Sequence, residues 1–92
     1  MKYLVYEHTL SGGQHGIMFG NELTHLEVAR LIQGDCPVIK IVSAGFCTIS
    51  DNLDPDALSC YKISAHGRST SLNLQSRKEE DSKILSRMES FT

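Results

Sequence analysis

The side chains able to do chemistry in this chain are three cysteines, four histidines and two short runs rich in glycine and hydroxyls. Cys36, Cys47 and Cys60 follow no CxxC spacing. Cys47 and Cys60 nevertheless fall in two β-like runs, 38–50 and 58–65, that fold back on one another around a polar loop. With the loop centred between Leu53 and Asp54, the two thiols face each other. Directly opposed strand residues hold their Cβ atoms about 4.5–5.5 Å apart, close enough for a redox pair or half of a metal site. The plainer reading is two small apolar residues filling a sheet face, which cysteine does readily. His8, His15, His25 and His66 form neither an HxH nor an HExxH pattern, so no metal site is local in sequence.

Ser11-Gly12-Gly13-Gln14-His15-Gly16 offers backbone amides to an anion. It lacks the lysine and Ser/Thr of a P-loop and leads into no helix, so it also reads as a plain connection. Gly67-Arg68-Ser69-Thr70-Ser71 supplies a guanidinium and three hydroxyls, a set suited to phosphate or carboxylate, though the same residues decorate many edge strands. A small-ligand or anion site built from His15, His66, Arg68 and Ser69 therefore needs the fold to bring them together. Asp51-Asn52-Leu53-Asp54-Pro55-Asp56 looks acidic enough for calcium, but Leu53 and Pro55 stand where alternate oxygen ligands are required. Arg68, Arg77, Lys78, Lys83 and Arg87 are candidates for nucleic-acid contact through the C-terminal helix. Glu79, Glu80, Asp81 and Glu89 are interleaved with them, and Glu79–Lys83 has the favourable i, i+4 order. That describes a solvated, self-paired face.

Composition narrows the classes. The chain has 92 residues, 40% hydrophobic and 22% charged, with no tryptophan, which describes one globular domain spanning 1–92 and not a disordered segment. The formal net charge of −2 argues against nucleic acid as a principal partner, because counterion release needs a concentrated positive face. No apolar run approaches the roughly 20 residues a spanning helix requires. Met1 to His8 fails as a secretory signal because Glu7 interrupts a short apolar stretch. An odd number of irregularly spaced cysteines then reads as reduced thiols in the cytoplasm.

The elements that position these residues can be read in order. Residues 2–10 carry apolar side chains on both faces, as in a strand inside a sheet. Ile17-Met18-Phe19 pairs back on it across the glycine loop. Thr24-His25-Leu26-Glu27 is a capping box, followed by Val28, Leu31 and Ile32 on one helical face, with Gly34 and Pro37 to end the helix. In the hairpin register above, Phe46 faces Tyr61, Ala44 faces Ile63 and Val42 faces Ala65, all on one packing surface, while Ile49 faces Leu58 on the other. Gly45 marks a bulge or a close backbone approach. Leu72 and Leu74 lie in a short last strand. Ser76-Arg77-Lys78-Glu79 is a second capping box, with Glu79, Glu80 and Asp81 suiting the positive end of the helix dipole. Ile84, Leu85, Met88 and Phe91 form the apolar stripe. The expected fold is α+β: a small antiparallel sheet of four to five strands with two helices packed on one face.

Val42-Ser43-Ala44-Gly45-Phe46-Cys47 and Ser71-Leu72-Asn73-Leu74-Gln75-Ser76, followed by an acidic helix start, resemble small uncharacterised proteobacterial proteins, some of them carried by prophages. The resemblance covers roughly the C-terminal half. It implies a bacterial or phage intracellular setting and carries no catalytic residues across.

No catalytic spacing stands out and no cofactor or metal is implied. The reading is a non-enzymatic protein-binding or regulatory module whose partner is a second copy or another protein. An open sheet edge would serve this purpose, with Val38–Ile41 and Leu72–Leu74 as contact segments. The ligand site at His15, His66, Arg68 and Ser69, with Cys47 or Cys60 nearby, and weak nucleic-acid binding are the alternatives.

Overall fold

The computed structural model describes residues 1–34, 38–51 and 61–89, the side chains of residues 51, 61, 62 and 87–89 aside. The elements are β1 (Lys2–His8), β2 (Gln14–Phe19), α1 (His25–Gln33), β3 (Ile39–Asp51), β4 (Tyr61–His66), β5 (Arg68–Ser69), β6 (Leu74–Gln75) and α2 (Lys78–Glu89). Four strands form one antiparallel sheet in the order β2-β1-β3-β4, and β5 pairs with β6 in a second, small sheet. The α+β class and the small antiparallel sheet are those expected.

β1 is central, and Tyr3, Leu4 and Val5 are all fully buried. Successive strand residues point to opposite faces, so this run can be covered only by packing both faces. Tyr3 and Val5 join Cys47, Ile63, Ala65, Ile84 and Leu85 in one cluster, beneath α2. Leu4 joins Ala44, Val28 and Ala29 in another, beneath α1, with Leu72 and Leu74 packed against it. The two helices thus divide between the faces and do not share one. The physical reason is the two-sided apolar pattern of β1 and β3, which a single helical layer leaves half exposed.

Local signals at α1 act as read. Thr24 Oγ1 accepts from the Glu27 amide at 3.1 Å, and the Thr24 amide donates back to Glu27 Oε1 at 3.4 Å. Gly34, at φ +47°, donates its amide to the Arg30 carbonyl at 2.9 Å and ends the helix. The buried residues are His25, Val28 and Ala29, whereas Leu31 is 78% exposed. The stripe thus begins one turn earlier than Val28-Leu31-Ile32 implies.

The β3–β4 register differs from expectation. Phe46 lies opposite His66, Cys47 opposite Ala65, Ile49 opposite Ile63 and Asp51 opposite Tyr61. The pairing is displaced by five residues from Phe46–Tyr61, Ala44–Ile63, Val42–Ala65 and Cys47–Cys60. A hairpin loop closes at little extra cost as it lengthens, so turn composition around residues 51–56 did not settle the register. Cys36, Cys60, Leu58 and the acidic run after Asp51 lie outside the described residues. A bulge in β3 opposite Val5/Tyr6 sends Val42 and Ser43 toward the same side: Val42 packs against the α2-side cluster and Ser43 bonds α2, while Ile41 returns to the α1 side.

Candidate functional site

α2 is fastened to the sheet by one carboxylate. Asp81 is fully buried and lies three and four residues before Ile84 and Leu85, on the same helical face. Its Oδ2 accepts from the Tyr3 hydroxyl at 2.5 Å and from the Arg77 amide at 2.9 Å. Its Oδ1 accepts from Ser43 Oγ at 2.9 Å, Arg77 Nε at 3.1 Å and an Arg77 terminal nitrogen at 3.0 Å. A buried ion is tolerated only when its lone pairs are filled this way. The Tyr3 phenol also touches Ser76 Oγ at 2.6 Å. With one proton to give, the phenol gives it to the carboxylate, the stronger acceptor, and the serine hydroxyl turns its own proton to the phenol oxygen. Burial, then the bond to Asp81, holds the Tyr3 phenol well above the ordinary tyrosine range.

This arrangement replaces the expected capping box at Ser76–Glu79. Ser76 is drawn to Tyr3, α2 begins at Lys78, and Asp81 takes the Arg77 amide at the helix start. The guanidinium of Arg77 also reaches Glu80 at 3.1 Å and Gln14 Oε1 at 3.0 Å, and Gln14 donates to Glu7 at 3.2 Å. The chain of polar contacts therefore crosses from α2 to the far strand β2.

Ser82, the next residue, fixes α2 to β4. Its hydroxyl accepts from the Ala65 amide at 2.9 Å and donates to the Lys78 carbonyl. The Ala65 amide thus points away from β3, and on the other side of the pair the Cys47 amide points to Met1. Cys47–Ala65 is a pair without mutual hydrogen bonds. Antiparallel ladders alternate, so Ile63, two residues along, also turns its amide and carbonyl outward. β4 stands at the end of the strand order. Between this edge and α2 lies a groove of about 470 Å³ lined by Ile63, Ser64, Lys78, Glu79, Ser82 and Lys83. No protein-family model, curated protein or solved structure matches the chain. The groove offers two ammonium groups, one carboxylate and two hydroxyls beside the buried Ile63.

The residues singled out from sequence are dispersed. His15 sits on β2 and His66 on β4, at opposite ends of the strand order, three strand spacings or about 14 Å apart across the sheet. His66 stacks on Phe46 with centroids 6.3 Å apart, and its Nε2 lies 3.2 Å from Thr48 Oγ1. Arg68 is exposed on β5, opposite Gln75. Ser69 is buried and bonds Ser71 Oγ and the Leu72 amide, closing the β5–β6 turn. The fold therefore brings His66, Arg68 and Ser69 together only as chain neighbours and leaves His15 apart from them. Of the basic set, Arg77 is held by Asp81 and Glu80, Lys78 and Lys83 line the groove, and Arg87 belongs to α2. Burial raises the Cys47 thiol above its ordinary value, which disfavours the reactive thiolate. Val38 and Ile39 are half-buried, and Ile39–Ile41 pair with β1. With Leu72 and Leu74 packed under α1, the expected contact segments are engaged within the fold.

Asp81 stands in the first turn of α2 as expected, but it is fully buried and not part of the solvated face to which the sequence reading assigned it. The available signal was its spacing to Ile84 and Leu85, a carboxylate set on the apolar stripe.

Proposed function

We propose that this chain is a non-enzymatic protein-binding module of the cytosol that takes an extended, acidic segment of a partner polypeptide in the groove between β4 and α2. The observation that carries the reading is the groove between β4 and α2, where Lys78 and Lys83 join Ser64 and Ser82 in the lining beside the buried Ile63. Ile63 is 2% exposed and Ser82 takes the Ala65 amide, so the side chains of the groove hold the segment, not strand addition to the edge. The ammonium groups of Lys78 and Lys83 favour carboxylates on the incoming segment, with Glu79 selecting register. Two copies meeting through this groove about a two-fold axis would bring the Lys78 and Lys83 side chains of both together. That repulsion favours a different acidic partner over a second copy. The free, buried thiol of Cys47 suits a reducing compartment.

The test is an amide chemical-shift titration with two synthetic pentapeptides, Glu-Val-Glu-Val-Glu and Lys-Val-Lys-Val-Lys, both capped. The acidic peptide is expected to move the amides of β4 and of Lys78 to Lys83, and the double variant Lys78→Glu/Lys83→Glu to abolish the response. Equal response to the basic peptide, or shifts confined to other surfaces, rejects the proposal.

A further inference from the structure

At the hairpin end of the α1 face, three rings meet. Tyr6 and His8 alternate on β1, and His15 lies directly opposite Tyr6 on β2, which puts all three on one side of the sheet. The His8 and His15 centroids are 5.8 Å apart with their planes at 86°. Tyr6 lies 6.1 Å from His8 and 5.6 Å from His15. His15 is exposed and His8 half-buried. The backbone beneath is ordered by the turn: the His8 amide donates to Gly13 at 3.0 Å, and the His8 carbonyl accepts from Gly12 at 2.7 Å and Ser11 at 3.2 Å.

Gly13 continues the ladder opposite His8, so a side chain there would stand on the same face as both imidazoles. A Cβ built on Gly13 would lie 3.7 Å from His15 Nε2. The ring of His15 therefore leans over the position facing His8, and the missing side chain leaves that space open. Zinc–imidazole bonds run about 2.0–2.1 Å, so two imidazoles sharing an ion in tetrahedral or slightly wider geometry have centroids about 5–6 Å apart. The observed separation falls in that interval, with Tyr6 backing both rings.

We propose that His8 and His15 form a two-imidazole site for a first-row transition-metal dication of the kind imidazole favours, zinc, nickel or copper. Among the described residues no set of three or more His, Cys, Asp and Glu side chains is placed to share a metal, so the described residues supply these two ligands and water completes the shell. The site is separate from the β4 groove and does not depend on it.

Nickel is the probe, because its paramagnetism broadens the signals of the histidines it binds. In the full chain under reducing conditions, substoichiometric nickel is expected to broaden the imidazole signals of His8 and His15 together while those of His25 and His66 stay sharp. His8→Ala and His15→Ala are each expected to weaken binding by at least about tenfold, the scale on which even outer-shell partners act at metal sites. Gly13→Val keeps both imidazoles, fills the space between them and is expected to weaken binding comparably, which covers the case in which either histidine variant misfolds. Broadening of His15 without His8, equal broadening of His66, or unchanged affinity in Gly13→Val would overturn the proposal.

Discussion

Replacing Asp81 by alanine tests the central energetic claim, that one buried carboxylate fastens α2 to the sheet. The side chain accepts from Tyr3, Ser43, the Arg77 amide and two guanidinium nitrogens of Arg77, at 2.5–3.1 Å. Removing one partner of a buried ion pair costs about 3–5 kcal/mol because the other charge is left uncompensated. Here the Arg77 side chain is 30% exposed, so water recovers part of that cost. Against this, the fully buried Ser43 hydroxyl loses its acceptor, at about 1–3 kcal/mol for a group left unsatisfied, while the Tyr3 hydroxyl can turn to Ser76 Oγ. The expected loss is about 4 kcal/mol, a large share of the roughly 5–14 kcal/mol total for a chain of this length. Asp81→Asn keeps the shape, and its amide can donate to the Tyr3 oxygen, but it then faces the Arg77 amide with a second donor; about 2–3 kcal/mol is expected. The assay is urea unfolding followed by far-ultraviolet circular dichroism, with a double-mutant cycle between Tyr3→Phe and Asp81→Asn expected to show coupling of about 1 kcal/mol or more. An Asp81→Ala midpoint equivalent to less than about 1 kcal/mol of destabilisation, with an unchanged denaturant slope, would refute the reasoning.

Alkaline stability follows from the raised Tyr3 phenol. The unfolded chain gives up this proton first, near pH 10, so the stabilisation is complete below that pH and declines as pH rises toward the folded value, by up to about 1.4 kcal/mol per pH unit. Tyr3→Phe should be less stable at neutral pH yet flatter above pH 10, and identical slopes in the two proteins would contradict it. Gly45→Ala should cost about 2–3 kcal/mol, because the added Cβ would lie 2.5 Å from the His66 carbonyl oxygen and 3.2 Å from Ser76 Cβ. A neutral thermal melt would show that the close approach is absent. Thr24→Ala should cost about 1 kcal/mol through loss of the α1 cap, read from the same urea curves, and Thr24→Ser should restore most of it.

What was legible in the residues was local. The Thr24–Glu27 box, the Gly34 terminator, the hairpin across Ser11–Gly16, and the two-sided burial of Tyr3, Leu4 and Val5 all rest on interactions within one element or between chain neighbours. Such signals depend on backbone sterics and on groups a few residues apart, and the chain carries them wherever it goes. Register was different. The alternation of 38–50 and 58–65 suits several pairings, and only the combined packing of Cys47, Ile63 and Ala65 against Ile84 and Leu85 selects the one with Phe46 opposite His66.

The candidate sites belong to the second kind. His8 and His15 are separated by a turn whose geometry sets them diagonally across one face, while His66, equally eligible by type, ends on the opposite edge strand. Asp81 reads as a surface acid until Tyr3, seventy-eight residues earlier, arrives beneath α2. By itself the sequence determined that there would be an antiparallel sheet with helices, and where each helix would begin or end to within a turn. The tertiary structure decided which faces the helices cover, where a groove is left beside α2, and which polar side chains meet. The reason is that burial free energy is a property of surfaces brought together across the chain, and no window of neighbouring residues contains both halves of such a contact.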